Sequence, residues 1–245
     1  VSWTEMQPLL YDATLDTLFM VWWSTFYAVL FGIPVGILLH LTDRGALLQN
    51  AVVNKVLGAI ANIGRSFPFL ILIVVLLPFT RLVVGTSIGP TGAVVPLAIA
   101  AIPFFARLVE AALREVDHGL VEAAQAMGGG TWTIIFKVLL PQALPALVAA
   151  VTTTVITLIG YSAIAGAVGG GGLGSLAYNY GYQQYETKLM VITVVELIVI
   201  VTGVQLLGDL VVRRLAGRGT RPSSPVRVGL RRARTEEPAV VTEAA

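Results

Sequence analysis

The chain has 245 residues, 56% of them hydrophobic and only 12% charged, and its mean hydropathy is +0.83. A soluble domain carries about 25% charged residues; half that share cannot coat a water-exposed surface, which excludes an ordinary soluble fold and places the chain in a lipid bilayer. The absence of cysteine excludes a disulfide framework and any cysteine-based metal or redox site, and the net charge of +2 matters less than where the charges fall.

In chain order, no charged residue lies between Asp16 and Asp43, only Arg65 between Lys55 and Arg81, and none between Arg81 and Arg107. The run from Val138 to Tyr185 is again free of charge and divides at the glycines of GGGGLG, and the last apolar run carries Glu196 alone. A span needs roughly 20 apolar residues at 1.5 Å rise each, which predicts five transmembrane helices at about 17–41, 54–79, 88–108, 138–164 and 189–212. Backbone in hydrocarbon must satisfy its own hydrogen bonds, and the alternation of a barrel strand is absent, so the fold class is all-α. The first run has no basic segment before it and is too long for a signal peptide, so it is expected to stay. Pro68 is expected to kink the second helix, and kinked helices can line paths. Arg65 is expected to reach the headgroups or pair within the bundle, while Glu196 receives no role.

Lys and Arg cluster in the connections after the first and third helices (Arg44, Lys55, Arg107, Arg114, Lys137) and in the tail from Arg213 onward, whereas Arg81 and Lys188 are alone on the other side. The positive-inside rule then predicts an outside N-terminus and a cytoplasmic C-terminus. The expected organisation is an extracytoplasmic segment over residues 1–13, a membrane domain over 14–215, and a disordered basic cytoplasmic tail over 216–245. Tyr178, Tyr180, Tyr182 and Tyr185 fall on the outer side with Trp22 and Trp23, as an aromatic belt would.

The segment EAAQAMGGGTWTIIFKVLLPQALP (122–145) falls on the cytoplasmic side. Asp117 can N-cap a short surface helix and Gly128 can end it in the left-handed conformation. Ala123 and Ala124 let another surface approach closely, and Glu122 offers an acceptor-only anion beside them. Gly129 and Gly130 are expected to loosen the turn that follows.

The order Glu122-Ala123-Ala124, Gly128 and a closing Leu140-Pro141 resembles the EAA loop of permease subunits of binding-protein-dependent ABC importers. RSFPFLILIVVLLPFTRLVVGTSIG (65–89), GYSAIAGAVGGGGLG (160–174) and YNYGY (178–182) are similar to the methionine-importer permeases, and the similarity covers about 15–215. The resemblance implies the type I importer permease fold, with a cytoplasmic coupling helix at about 117–128. Glu122, Ala123, Ala124 and Gly128 would dock on a separate ATPase, and Pro68, Tyr161, Ser162 and Ile164 would line the translocation path. It implies a homodimer with two ABC ATPase subunits and an external methionine-binding lipoprotein in a bacterial cytoplasmic membrane, and no nucleic acid. ATP and Mg would sit on the partner ATPase, with no cofactor on this chain. It also implies methionine, D or L, as substrate, another amino acid or small solute being the alternative. No G-x-x-x-x-G-K-[ST] occurs, so the ATPase must be a separate chain, and the G-x-G-x-x-G within GGGGLG lacks the strand and helix a dinucleotide site needs. An ion-driven secondary transporter would show internal repeats, and none is visible. No catalytic constellation converges and no metal spacing occurs, so the chain is expected to be a transport subunit rather than an enzyme.

Overall fold

A computed structural model describes residues 3–219; of the tail predicted to be disordered over 216–245, residues 216–219 instead close the last helix, and the rest lies outside the described residues. The described part is helical, in the order α1 (Trp3–Leu41), α2 (Ala51–Ser66), α3 (Phe69–Val75), α4 (Leu77–Val84), α5 (Gly89–Arg114), α6 (His118–Ala126), α7 (Thr131–Ile134), α8 (Leu140–Ala165), α9 (Gly172–Leu176) and α10 (Thr187–Gly219). Wide π-type turns occupy Ile135–Leu139 and Ala177–Gln183, whereas Gly166–Gly170 is a kink at which Val168 (φ −107°) and Gly169 (φ +95°) leave the helix. Four helices are long and apolar enough to cross a membrane, and the bent pair α2–α3 makes a fifth if taken as one span.

α5 is the centre of the bundle. It packs on α1, α2, α3, α4 and α8, and Leu97, Phe105, Ala106 and Val109 on it are fully buried. α1 comes very near: a Cβ at Gly32 would sit 2.7 Å from Phe105 Cδ1, and one at Gly36 2.7 Å from Ala106 O. Lipid tails are as apolar as leucine, so helices in a bilayer gain by such close packing rather than by hydrophobic exclusion. The many exposed apolar side chains of α2, α3, α4 and α10 are correspondingly ordinary for a membrane chain.

Three helix predictions are corrected. α1 begins at Trp3, not near 17, so Asp12 and Asp16 lie inside it; its 39 residues span about 58 Å, well beyond a hydrocarbon core of about 30 Å. A charge-free run marks the part of a helix in hydrocarbon, not the end of its hydrogen bonding. α5 likewise continues past Leu108 to Arg114, because its charges are paired along the helix. The expected single kinked helix at 54–79 is three pieces: Phe67 (ψ 125°) and Pro68 (ψ 126°) are both extended, and two consecutive non-helical residues turn the chain by 100° between α2 and α3. A residue before proline is pushed out of the α region, which doubles the break. A second break at Leu76 precedes Pro78, in the first turn of α4.

The expected re-entry of the chain at the glycines of 169–174 is observed. Gly169, Gly171 and Gly172 have positive φ, and α9 returns into the bundle with Leu173 fully buried. Leu173 N–H donates to Thr17 Oγ1 at 2.9 Å, and Thr17 Oγ1 donates to Ala13 O, so one hydroxyl of α1 satisfies the start of α9. Glu196 also acquires a partner: Thr14 Oγ1 lies 2.5 Å from its Oε1. That contact joins α10 to α1, where α10 is otherwise the least buried of the long helices.

Candidate coupling helix and helix-break site

α6 is capped at both ends. Asp117 Oδ1 accepts from Gly119 N–H at 2.8 Å, satisfying one of the orphan donors of the first turn. At the other end Gly128 has φ +82°, its N–H donates to Gln125 O, and Gly129 N–H donates to Ala124 O, both at 2.9 Å. These two bonds are the paired C-terminal closure of the Schellman motif, and they satisfy carbonyls a nine-residue helix would otherwise leave open. The expectation that Gly129 loosens this turn is therefore corrected. A Cβ there would sit 2.7 Å from Ala124 O, against backbone, so glycine is what allows the closing bond to form. Gly128 and Gly130 stand in open space, but Gly128 needs glycine for its φ of +82°, so only Gly130 is without such a demand. Gly129→Val is expected to open the end of α6, costing about 1–3 kcal/mol as overpacking against backbone does; faster hydrogen exchange of the Gly128 amide, which donates to Gln125 O in the same closure, checks it, and unchanged exchange would contradict the closure.

The predicted docking residues divide. Glu122, Ala123 and Gly128 are exposed, with Leu120 and Met127 beside them as exposed apolar side chains. Ala124 is buried and belongs to the bundle core, so its smallness serves packing inside this chain and not the approach of another surface. Glu122 also lines a polar cleft with His40, Gly45, His118 and Gln125, between α6 and the connection following α1. Trp132 and Phe136, stacked at 6.0 Å, extend the exposed surface beyond the turn.

The predicted path residues divide as well. Pro68 is exposed at the elbow, and Phe69 directly after it stacks on Tyr161 of α8, ring centroids 4.6 Å apart and planes within 2°. Elbow and α8 therefore meet through an aromatic pair, of a kind worth roughly 0.5–1.5 kcal/mol beyond its buried area. Ile164 is partly exposed. Ser162 is corrected: it is 1% exposed and its Oγ donates to Ile159 O at 2.7 Å, so it faces the interior of its own chain.

One constellation escaped the reading of the sequence. Glu110 is buried with Oε2 2.7 Å from Arg107 Nη1 and Oε1 2.7 Å from Arg114 Nη2. Arg114 Nη2 also reaches Asp43 Oδ2 at 2.7 Å, and Arg107 Nη2 donates to Gly58 O (2.9 Å) and Asn62 Oδ1 (3.1 Å) on α2. The spacing of three and four residues in Arg107, Glu110 and Arg114 puts all three on one helix face and was the available signal.

The model of the family described as binding-protein-dependent transport system inner membrane component matches residues 11–218. The chain belongs to that family. A Vibrio cholerae member, named a probable D-methionine transport system permease protein MetI, is 54% identical over 210 residues, 86% of this chain and 93% of its own. The methionine import system permease protein MetP of Bacillus subtilis is 52% identical over 202 residues, 82% and 91% of the two chains. Among solved structures, an inward-facing conformation of the MetNI methionine ABC transporter superposes with TM-score 0.85 at 48% identity, covering 88% of this chain and 99% of that one. Membership fixes a multi-pass, all-helical permease subunit, and the five-helix reading and importer-permease fold stand with it.

Proposed function

We propose that this chain is the membrane-spanning subunit of an ATP-driven importer of methionine. The observation that carries the reading is identity near one half, over more than four fifths of this chain, to permeases named for methionine transport. In this reading two copies pair, and α6 of each seats on a separate ATPase subunit that holds ATP and Mg. An external lipoprotein delivers the amino acid. The N-terminus and the segment before the first span lie outside, and the C-terminus lies in the cytoplasm of a bacterial cell. Because α6 is closed by hydrogen bonds at both ends and is joined to α5 by three residues, 115–117, motion of the ATPases would pass into the bundle as a rigid-body rotation. Pro68 and Tyr161 would face the path where the two copies meet, with Phe69 backing Tyr161 and Ile164 at its edge.

The test is reconstitution of this chain in liposomes with its ATPase and binding protein, followed by uptake of labelled L- and D-methionine. Uptake that requires ATP and is outcompeted by unlabelled methionine is the expected result. Uptake indifferent to ATP but abolished by an ionophore, or transport of another solute alone, would overturn the reading.

A further inference from the structure

The helix that leads to the elbow is held by few apolar contacts. Of all the residues of α2, only Ala61 is buried. Besides the close approach of Gly64 to Pro103, where a Cβ would lie 2.8 Å from Pro103 Cγ, what fastens α2 to α5 is polar and centred on Glu110, the one buried charged side chain among the described residues. Each carboxylate oxygen of Glu110 takes a different guanidinium, and that fixes how Arg107 stands. With Nη1 held by Glu110, Nη2 of Arg107 points at α2 and donates to both Gly58 O and Asn62 Oδ1. Gly58 leaves the room: a Cβ on it would lie 3.1 Å from Arg107 Nη2. Two arginines against Glu110 and Asp43 balance in charge, so the latch can be partly buried without leaving an unpaired ion.

Position gives this latch its meaning. Arg114 ends α5, and α6 begins at His118. Arg107 lies about two turns earlier on the same helix, and Gly58 and Asn62 lie on α2 shortly before the 100° elbow and the Phe69–Tyr161 stack. We infer that Glu110 is a positioning residue which, by orienting Arg107, makes α2 turn with α5 as one body, so that displacement of α6 reaches the elbow. The inference rests on the importer reading proposed above. A lysine at 107 keeps the charge but offers a single ammonium, which cannot hold Glu110 and both α2 acceptors in the fork geometry of a guanidinium.

The experiment uses the full complex in nanodiscs. The chain has no cysteine, so spin labels on Ile60→Cys of α2 and Ala111→Cys of α5, both exposed, are unique; labelled copies diluted with unlabelled ones report the distance within one protomer. The expected result is one narrow distance for the native chain, the same without nucleotide and with ATP trapped. In Arg107→Lys and Glu110→Gln the distance should broaden or change with nucleotide. Uptake per ATP hydrolysed should fall by about 2- to 30-fold while complex and hydrolysis persist, the range expected for residues that carry coupling. Asn62→Ala, at an exposed position, provides a variant that folds if the others do not, and should broaden the same distance. Variants with the native distance in both states, or with native uptake per ATP, overturn the inference. Failure of the native chain to assemble with an ATPase would instead overturn the importer reading, while the nucleotide-free distance remains measurable on the permease alone.

Discussion

Gly174→Val is expected to push α9 off α8 and lower the stability of the whole chain. A Cβ at Gly174 would lie 2.3 Å from Ala163 O and 2.5 Å from Ala163 Cα. Both obstacles are backbone of α8, and backbone cannot rotate aside as a side chain can. The crowding is mutual, since a Cβ at Gly166 would lie 2.4 Å from Ser175 N. α8 and α9 thus touch main chain to main chain, which only residues without side chains permit. To admit valine, α9 would have to withdraw, breaking the Leu173 N–H bond to Thr17 and exposing Leu173, now fully buried. The cost should reach or exceed the roughly 3 kcal/mol at the upper end of overpacking, a fall of about 6–12 °C in Tm for a domain of this size. Thermal unfolding in detergent measures it. Gly203→Val is the control, because nothing lies within 4 Å of a Cβ there; equal stability of the two variants would show that α9 is not seated as described.

Glu122→Arg is expected to release the ATPase while leaving the permease inserted and folded. Glu122 is exposed and makes no bond that holds α6 in place: the helix is secured by Asp117 at its start, by Gly128 and Gly129 at its end, and by Ala124 beneath. Reversing its charge therefore alters only what α6 presents. If Glu122 is a hot spot of the docking surface, the loss is about 2 kcal/mol or more, roughly a 30-fold fall in affinity. Capture of the ATPase by tagged permease reads it directly, and wild-type recovery would remove Glu122 from the docking surface. The neighbouring alanines sharpen the test. Ala123→Leu enlarges the exposed face and should weaken capture, whereas Ala124→Leu intrudes on the core and should lower the stability of the permease itself.

Much of this was readable from composition and punctuation. Asp117 and Gly128 bracket α6 as a cap and a left-handed stop should, and the glycines of 169–174 foretold a chain that turns back into the bundle. Other features depend on spatial relations that a linear reading lacks. The ends of α1 and α5 were placed too far inside because charges were read as boundaries, when Glu110 and Asp43 neutralise the arginines that extend α5. Pro68 announced a kink, but the right-angled elbow needs Phe67 to leave the helix too. Ser162 was assigned to the path by resemblance, and the residues of α8 could not have corrected it, because a helix apolar or small on nearly every side does not declare which side faces inward. Gly129 looked like slack because its requirement is a distance to Ala124 O, five residues back along the chain, which composition does not reveal.

α8 opens on a wide turn, Ile135–Leu139, and closes where Val168 (φ −107°) and Gly169 (φ +95°) leave the helical region. The ladder of helical hydrogen bonds is therefore cut between α8 and α9, and a twist of one is not handed to the other along the backbone. α9 answers to α1 instead, through the Leu173 N–H bond to Thr17.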